Sequence, residues 1–153
     1  MLMSSGVDPT ALRAARERLG LTQHQLARLV GVAGGERISR WELGLDEPRP
    51  DSLARLADVL KTAVVELLDV DPERRDLRAL RYCAGLSAAE VARATHISTR
   101  SYARWESGCW ARPPSADNLR AIARTLNVSM GDIREALDLA QRARRSRQSR
   151  PEA

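Results

Sequence analysis

Aromatic residues are scarce in this sequence: they make up 3% of the 153 residues, and phenylalanine is absent. This scarcity excludes an aromatic stacking platform for single-stranded nucleic acid and leaves the core to Leu, Val, Ile and Ala. The two cysteines, Cys83 and Cys109, are too few for a disulfide framework and lack CxxC spacing. No apolar run approaches the roughly 18 residues of a membrane span, and the N-terminal MLMSSGVDPT lacks the basic and apolar segments of a secretory signal. We therefore expect a cytoplasmic protein, independent of membranes, with two free thiols; a redox switch between them is the alternative.

Lysine is also nearly absent, since every basic residue except Lys61 is an arginine. The formal net charge is +5, but residues 1–70 carry nine basic and ten acidic side chains, and residues 71–140 carry eleven and nine. Residues 141–153 carry five arginines and one acidic residue. This segment is predicted to be a basic, disordered tail. Its charge favours a polyanionic partner, and a merely solvated chain end is the alternative interpretation.

The sequence contains an internal repeat of about 65 residues. LRAARERLGLTQHQLARLV at 12–30 corresponds to LRALRYCAGLSAAEVARAT at 77–95, and SRWELG at 39–44 corresponds to ARWESG at 103–108. The repeat predicts two tandem copies of one small module rather than one larger domain. The expected bounds are 8–70 for the first domain and 71–140 for the second.

Each copy is predicted to be all-α, with five helices. The first helices are expected to begin at the N-caps Asp8 and Asp71, each followed by proline, and to stop at Gly20 and Gly85. The second helices are expected at 23–30 and 88–95, capped by Thr22 and Ser87, and the third helices at roughly 35–43 and 99–107. Fourth helices are expected to open at Asp51 and at Ser115 to Asp117, and short fifth helices near 63–69 and 129–145.

The turn between the second and third helices carries a further sequence signal. His96 occupies the position that Gly31 holds in the first copy, which predicts a turn residue with positive φ rather than a metal ligand. Trp41 and Trp105 have helical spacing from Ile38 and Tyr102, so both tryptophans are predicted to lie in the core.

A short helix, a tight turn and a second helix ending in Trp-Glu-x-Gly resemble the helix-turn-helix of the Cro and phage-repressor (XRE) family. The matching segments are LGLTQHQLARLVGV with ISRWELG in the first copy, and AGLSAAEVARATHIS with YARWESG in the second. The resemblance covers nearly all of residues 10–138 and implies two five-helix DNA-binding domains. In such domains the third helix, called the recognition helix, enters the major groove.

The resemblance, together with a position opposite the buried tryptophan, assigns roles to particular side chains. Base contacts are expected from Glu36, Arg37, Arg40, Thr99, Arg100, Ser101 and Arg104. Phosphate contacts are expected from Thr22, Gln23, Arg49, Ser87 and Arg112. Structural salt bridges between the first and third helices are expected for Arg16 with Glu42 and for Arg81 with Glu106.

Two departures from the family pattern distinguish the copies. The first copy has one extra residue in its turn, at Gly34-Gly35, and an acidic Glu36 among the expected base contacts. The second copy has Ala88 where the family has glutamine at the start of the second helix. The first copy is therefore expected to be the specialised or weakened DNA reader.

The leading functional hypothesis is a sequence-specific transcription regulator, associated with the nucleoid, that binds double-stranded DNA with two recognition helices on one chain. The chain binds either as a monomer or, on a longer site, as a homodimer. The alternative is a protein-binding, antitoxin-like adaptor in which only the second copy reads DNA. An enzyme is not expected, because no Cys/His pairing, paired-carboxylate site, phosphate-cradling glycine loop or metal-ligand spacing is present. No cofactor and no metal are implied.

Overall fold

The computed structural model describes residues 6–150 of the chain. Residues 1–5, which contributed to the expectation that a secretory signal is absent, and residues 151–153 of the basic tail lie outside the described part. The chain divides into two compact units at the junction between Pro72 and Glu73.

The first unit contains α1 (Pro9–Arg18), α2 (Gln23–Val30), α3 (Gly35–Glu42), α4 (Pro50–Leu60) and a 3-10 helix (Val64–Leu67). The second unit contains α5 (Leu77–Cys83), α6 (Ala88–Thr95), α7 (Thr99–Glu106), α8 (Ala116–Leu126) and α9 (Met130–Gln148). Within residues 6–150 there is no strand beyond an isolated bridge between Val7 and Leu68. The all-α, two-module prediction is therefore confirmed. None of the helices in this part of the chain is long and apolar enough to cross a bilayer.

The first helix begins at a side-chain cap and is followed by a glycine turn, as the sequence predicted. The Asp8 carboxylate accepts from the backbone N–H groups of Thr10 and Ala11 at 3.0 and 3.2 Å, so it caps α1 as predicted. After α1 the chain turns at Gly20, whose φ of +68° is in the left-handed region that favours glycine. The two ends of the unit meet because the Asp8 N–H donates to the carbonyl of Leu67 at 2.8 Å.

The core of each unit is aliphatic and lies between its helices. The first core is centred on the fully buried side chains Leu12, Leu26, Ile38, Leu53, Leu56 and Leu60. The second is centred on Leu77, Val91, Tyr102, Ile122 and Ile133. Trp41 and Trp105 are buried, as their spacing predicted. Each such leucine or isoleucine contributes about 1.5–3 kcal/mol by leaving water, so these side chains fix the orientation of the recognition helices α3 and α7.

The prediction for the start of α5 is wrong. The sequence pointed to Asp71 and Pro72, by analogy with Asp8 and Pro9, but α5 begins at Leu77 and its N-cap is Asp76. The Asp76 carboxylate accepts from the Ala79 N–H at 2.9 Å, which is the hydrogen bond that an N-cap supplies. A helix can use only one such cap, and Asp76 is the one next to the buried Leu77.

The fifth helices also differ from the prediction. In the first unit this element is a single 3-10 turn, whereas α9 runs for 19 residues and ends at Gln148. Residues 141–148 are therefore helical. The predicted fifth helix near 129–145 overlapped the predicted disordered tail from residue 141, and the helix extends three residues beyond its predicted end. The segment has no glycine or proline before Pro151 and consists mainly of arginine and glutamine, which are good helix formers. Arginines near a helix C-terminus also interact favourably with its dipole.

Candidate nucleic-acid interface

The second helix of each module begins with a capping box. In the first module the Thr22 hydroxyl accepts from the Gln25 N–H at 3.1 Å, and the Gln25 side chain accepts from the Thr22 N–H at 2.8 Å. Ser87 and Glu90 form the same pair of bonds in the second module, at 3.1 and 2.7 Å. Each box satisfies two backbone donors that the helix itself leaves unpaired. Both helices match the predicted residue ranges, and Thr22 and Ser87 lie at their starts.

The turn between the two helices differs between the modules. Gly31 and His96 both adopt left-handed conformations, with φ of +79° and +56°, so the prediction for His96 is confirmed. In the first module the extra glycine allows a close approach. A Cβ on Gly35 would lie 3.0 Å from the backbone nitrogen of His24, so α3 begins tightly against the start of α2. Substitution of Gly35 would therefore push the recognition helix of the first module away from α2.

The outward face of α3 carries the predicted side chains, but one of them is engaged. Glu36, Arg37 and Arg40 are exposed, while Ile38 and Trp41 point into the core. The Nε of Arg40 donates to the Asp46 Oδ2 at 2.6 Å. This hydrogen bond lowers the pKa of the Asp46 carboxyl and raises the pKa of Arg40. The strongest expected base-reading group of the first module is thus paired with a carboxylate.

The outward face of α7 has no such carboxylate pair in the described part of the chain. Thr99, Arg100 and Arg104 are exposed, and the Nε of Arg104 donates to the backbone carbonyl of Cys109 at 3.2 Å. Ser101 is half-buried, and its hydroxyl accepts from the Ser98 hydroxyl at 2.9 Å. Ser101 therefore supports the start of α7 in addition to facing outward. Two exposed arginines one turn apart give this helix a cationic face.

The loop after each recognition helix reinforces the difference. In the first module it contains Asp46 and Glu47 before the exposed Arg49. A depression of about 380 Å³ on that side of the module is lined by Ala33, Gly34, Gly35, Glu36, Arg37, Arg40 and Asp46. In the second module Trp110 replaces the acidic residue, and Arg112 is exposed. The first surface is therefore of mixed charge, and the second is cationic.

A helix-turn-helix family model of the XRE type matches this chain twice, over residues 12–67 and 77–133. The chain belongs to this helix-turn-helix family. It accordingly carries two DNA-binding helix-turn-helix domains in tandem. No curated protein and no solved structure matches the chain.

Both domains of this helix-turn-helix protein contain a buried ion pair between their first and third helices. In the first, the Nε and Nη2 of Arg16 donate to the Glu42 carboxylate at 2.5 and 3.1 Å. In the second, the Nη2 and Nε of Arg81 donate to Glu106 at 2.7 and 2.9 Å. Each arginine also donates to a backbone carbonyl, that of Leu21 or Leu86. These bidentate pairs lie inside the modules and hold the recognition helix against the first helix.

Gln23, an expected phosphate contact, has an additional internal partner. Its side-chain amide donates to the Glu42 Oε2 at 2.8 Å, so it completes the first ion-pair network. Ala88 occupies the equivalent position in the second domain and supplies no such donor.

The buried Tyr102 hydroxyl has no hydrogen-bond partner in the described structure. Burial, with the nearby Glu106 carboxylate, raises the pKa of Tyr102.

The sequence analysis missed Asp46, whose carboxylate changes the chemistry of the recognition helix. Asp46 lies six residues after Arg40, beyond the i+3 and i+4 spacings that indicate helix pairs. The turn after α3, in which the Leu45 N–H donates to the Arg40 carbonyl at 2.9 Å, brings Asp46 back toward Arg40. The two adjacent acidic residues, Asp46 and Glu47, were the sequence signal that could have indicated this carboxylate.

Both cysteines are free and half-buried, and residues 6–150 contain no cluster of three His, Cys, Asp or Glu arranged to hold a metal.

Proposed function

We propose that this protein is a cytoplasmic, nucleoid-associated transcription regulator that recognises specific double-stranded DNA sequences through the major groove. In this proposal α7 of the second domain is the principal recognition helix. The proposal involves no catalysis and no cofactor, and its partner is double-stranded DNA.

The observation that carries the proposal is the contrast between Arg104 and Arg40. Arg104 donates only to a neutral carbonyl among its described contacts, and the exposed Arg100 lies one turn away. An arginine in this position is able to donate two hydrogen bonds to guanine O6 and N7. The Nε of Arg40 is held instead by the Asp46 carboxylate, which offsets the charge of this arginine and repels the phosphate backbone.

The acidic loop of the first domain supports a second candidate function. In that alternative the first domain is a protein-binding surface, as in an antitoxin-like adaptor, and only the second domain reads bases. The mixed charge around Asp46, Glu36 and Arg37 is the observation that favours it. Footprint length separates the two functions, since one half-site indicates a single DNA reader and two half-sites indicate two.

The test begins with selection of bound fragments from a random duplex library by the full chain. Competition binding against every single-base variant of the selected site then compares Arg104→Ala with Arg40→Ala. We expect Arg104→Ala to lose about 1–3 kcal/mol of binding and to relax the preference at one position, because a bidentate base contact has that value. We expect a loss of less than about twofold in affinity for Arg40→Ala, because Arg40 already pairs with Asp46 in the free chain and a DNA contact would replace that ion pair instead of adding to it.

Arg124→Ala is a matched control, because Arg124 is exposed on α8, away from the recognition helix. An unchanged preference profile for Arg104→Ala would contradict the assignment of α7. Equal losses for the two test variants would show that both domains read bases and that the Arg40–Asp46 pair opens on DNA.

A further inference from the structure

The C-terminal part of α9 is a short helix segment of uniform charge. Its residues 141–148 contain four arginines and no acidic residue, whereas the acidic residues of α9 all precede Ala140. Ala140 is also the last buried residue of the helix. At 1.5 Å per residue, the segment 141–148 extends about 12 Å beyond Ala140. Gln141 and Arg144 are half-buried, and the other residues of the segment are exposed. We call this segment the basic arm.

The basic arm is anchored at the end of the recognition helix. Gly108, which follows α7, has a φ of +76°, and a Cβ at this position would lie 2.3 Å from the Ala140 carbonyl oxygen and 3.0 Å from the Gln141 nitrogen. Real Cβ atoms do not approach backbone atoms so closely. The α9 backbone therefore packs directly on the turn after α7, and the basic arm starts at that contact.

The same turn also contacts an expected base-reading side chain. The Cys109 N–H donates to the Arg104 carbonyl at 2.8 Å, and the Arg104 Nε donates back to the Cys109 carbonyl at 3.2 Å. Arg104, the Gly108-Cys109 turn and Ala140 thus form a continuous set of contacts. The position of the basic arm is therefore fixed relative to α7 by backbone packing and not by a flexible connection.

The composition of the arm indicates the kind of partner it suits. Within residues 6–150, no carboxylate forms an ion pair with Arg142, Arg144, Arg145 or Arg147, and Ala143 is the only apolar residue of the segment. Four guanidinium groups without an apolar face match a row of phosphates better than an apolar groove. Arginine binds phosphate with two parallel hydrogen bonds, so each of these side chains is suited to a phosphate contact.

We propose that the basic arm binds the DNA phosphates that flank the bases read by α7, and so lengthens the footprint of the second domain at one end. Its length of about 12 Å corresponds to three or four base pairs at a rise of 3.4 Å. This inference rests on the proposed function, because it assumes that α7 lies in the major groove. It differs from non-specific attraction by a mobile tail in one respect: the added contacts occupy a defined place beside the site.

The test measures affinity against salt for two duplexes, one limited to the selected site and one with six extra base pairs on each side. Arg142, Arg144, Arg145 and Arg147 are replaced together by glutamine, which keeps the exposed helix and removes its charge. We expect the full chain to bind the longer duplex about tenfold more tightly, and the variant to lose most of that gain. The slope of log affinity against log salt should fall by about 1.8–3.6, at about 0.9 for each of two to four lost phosphate contacts.

A second pair of variants tests the position of the arm while its charge is kept. Gly108→Ala forces α9 away from the turn, whereas Gly44→Ala in the first domain meets only a side-chain carbon of Pro9 at 3.4 Å. Their φ values, +76° and +70°, are similar, so the backbone strain of an added Cβ is matched. We expect Gly108→Ala to reduce the gain from flanking DNA and to shorten the hydroxyl-radical footprint at one end. Gly44→Ala should leave both unchanged.

An unchanged salt slope and an unchanged flanking gain in the four-arginine variant would overturn the proposal. Capture of an acidic protein by the arm, with no flanking gain on DNA, would also overturn it. These failures are distinguishable from failure of the proposed function. If only the proposal for the basic arm fails, Arg104→Ala still alters base preference. If the proposed function fails, the full chain has no base preference for any variant to alter.

Discussion

The two domains have the same arrangement of helices, but the surfaces formed by the recognition helix and the loop after it differ in charge. In the first, Arg40 on the recognition helix pairs with Asp46, and Glu47 follows in the same loop. In the second, Trp110 stands where Asp46 would be, and Arg112 is exposed beyond it. The capping boxes of the second helices and the largely aliphatic cores are similar in both copies, although the turn before the third helix is one residue longer in the first. The comparison teaches that the two domains share a fold but differ in the charge around the recognition helix, because the residues that shape the helices are not those that set this charge.

The interiors of the two domains differ as well. Glu42 accepts hydrogen bonds from both Arg16 and Gln23, whereas the described bonds to Glu106 come from Arg81 alone. The second domain also buries the Tyr102 hydroxyl at the position of Ile38. The ion-pair network is therefore more completely satisfied in the first domain, although its outer surface is less suited to DNA.

The largest expected effect comes from removal of the buried arginine. Arg81→Ala should lower the free energy of unfolding of the second domain by about 3–5 kcal/mol, because Glu106 then stays buried without its cation. Arg16→Ala should cost the first domain about 1 kcal/mol less, since Gln23 still donates to Glu42. Amide hydrogen exchange in α3 and α7 measures the two domains separately in the intact chain.

The cycle that adds Glu106→Ala isolates the pair itself. The double variant should cost less than the sum of its single changes, because the second change removes the unpaired charge that the first created. Small and additive effects in hydrogen exchange would show that water screens the pair, and would remove the interior difference between the domains.

The fold was largely predictable from the sequence, because local signals agree with packing along most of the chain. Thr22 and Ser87 fix the starts of α2 and α6, and Gly31 and His96 fix their ends. The start of α5 was not predictable from these signals, since Asp71 and Asp76 are both acceptable caps by sequence. The choice between them depends on which one precedes a residue that reaches the core, namely Leu77.

The residue types of the candidate site were predictable, and the family resemblance also predicted the Arg16–Glu42 and Arg81–Glu106 pairs. Two other contacts were not predictable. Exposure of Arg40 and Arg104 follows from helical spacing opposite the buried tryptophans. The ion pair of Arg40 with Asp46 depends on the path of a turn, and the packing of Ala140 on Gly108 depends on the direction of a helix 30 residues later in the chain. Pattern along the sequence carries no information on such contacts between separate segments.

An intermediate effect is expected from Asp46→Asn, which tests the electrostatic difference directly. The change releases Arg40 and removes one negative charge from the DNA-facing loop. We expect affinity for the selected site to rise about fivefold, which corresponds to about 1 kcal/mol, and the salt slope to steepen by about 0.9. The ion pair is about half exposed, so its loss should leave the free energy of unfolding almost unchanged.

Glu66→Gln is the control for Asp46→Asn, because it removes a negative charge elsewhere in the first domain. Equal increases in affinity for the two variants would show a general charge effect instead of a local one. No increase for either would favour the protein-binding alternative for the first domain, since release of Arg40 would then bring no DNA contact.

The smallest expected effect tests whether the interior difference can be transferred between the domains. Ala88 is half-buried at the position of Gln23, and glutamine there should donate to Glu106 as Gln23 does to Glu42 at 2.8 Å. Ala88→Gln should raise the free energy of unfolding of the second domain by about 0.5–1 kcal/mol, within the range for a hydrogen bond to a charged group less the entropy of an ordered side chain. The reverse change, Gln23→Ala, should lower the free energy of unfolding of the first domain by a similar amount.

Ala89→Gln is the matched control, because it places the same side chain on the next, exposed position of α6. If Ala88→Gln is no more stabilising than Ala89→Gln by urea denaturation, the new amide does not reach Glu106. The two ion-pair networks would then differ in geometry as well as in composition.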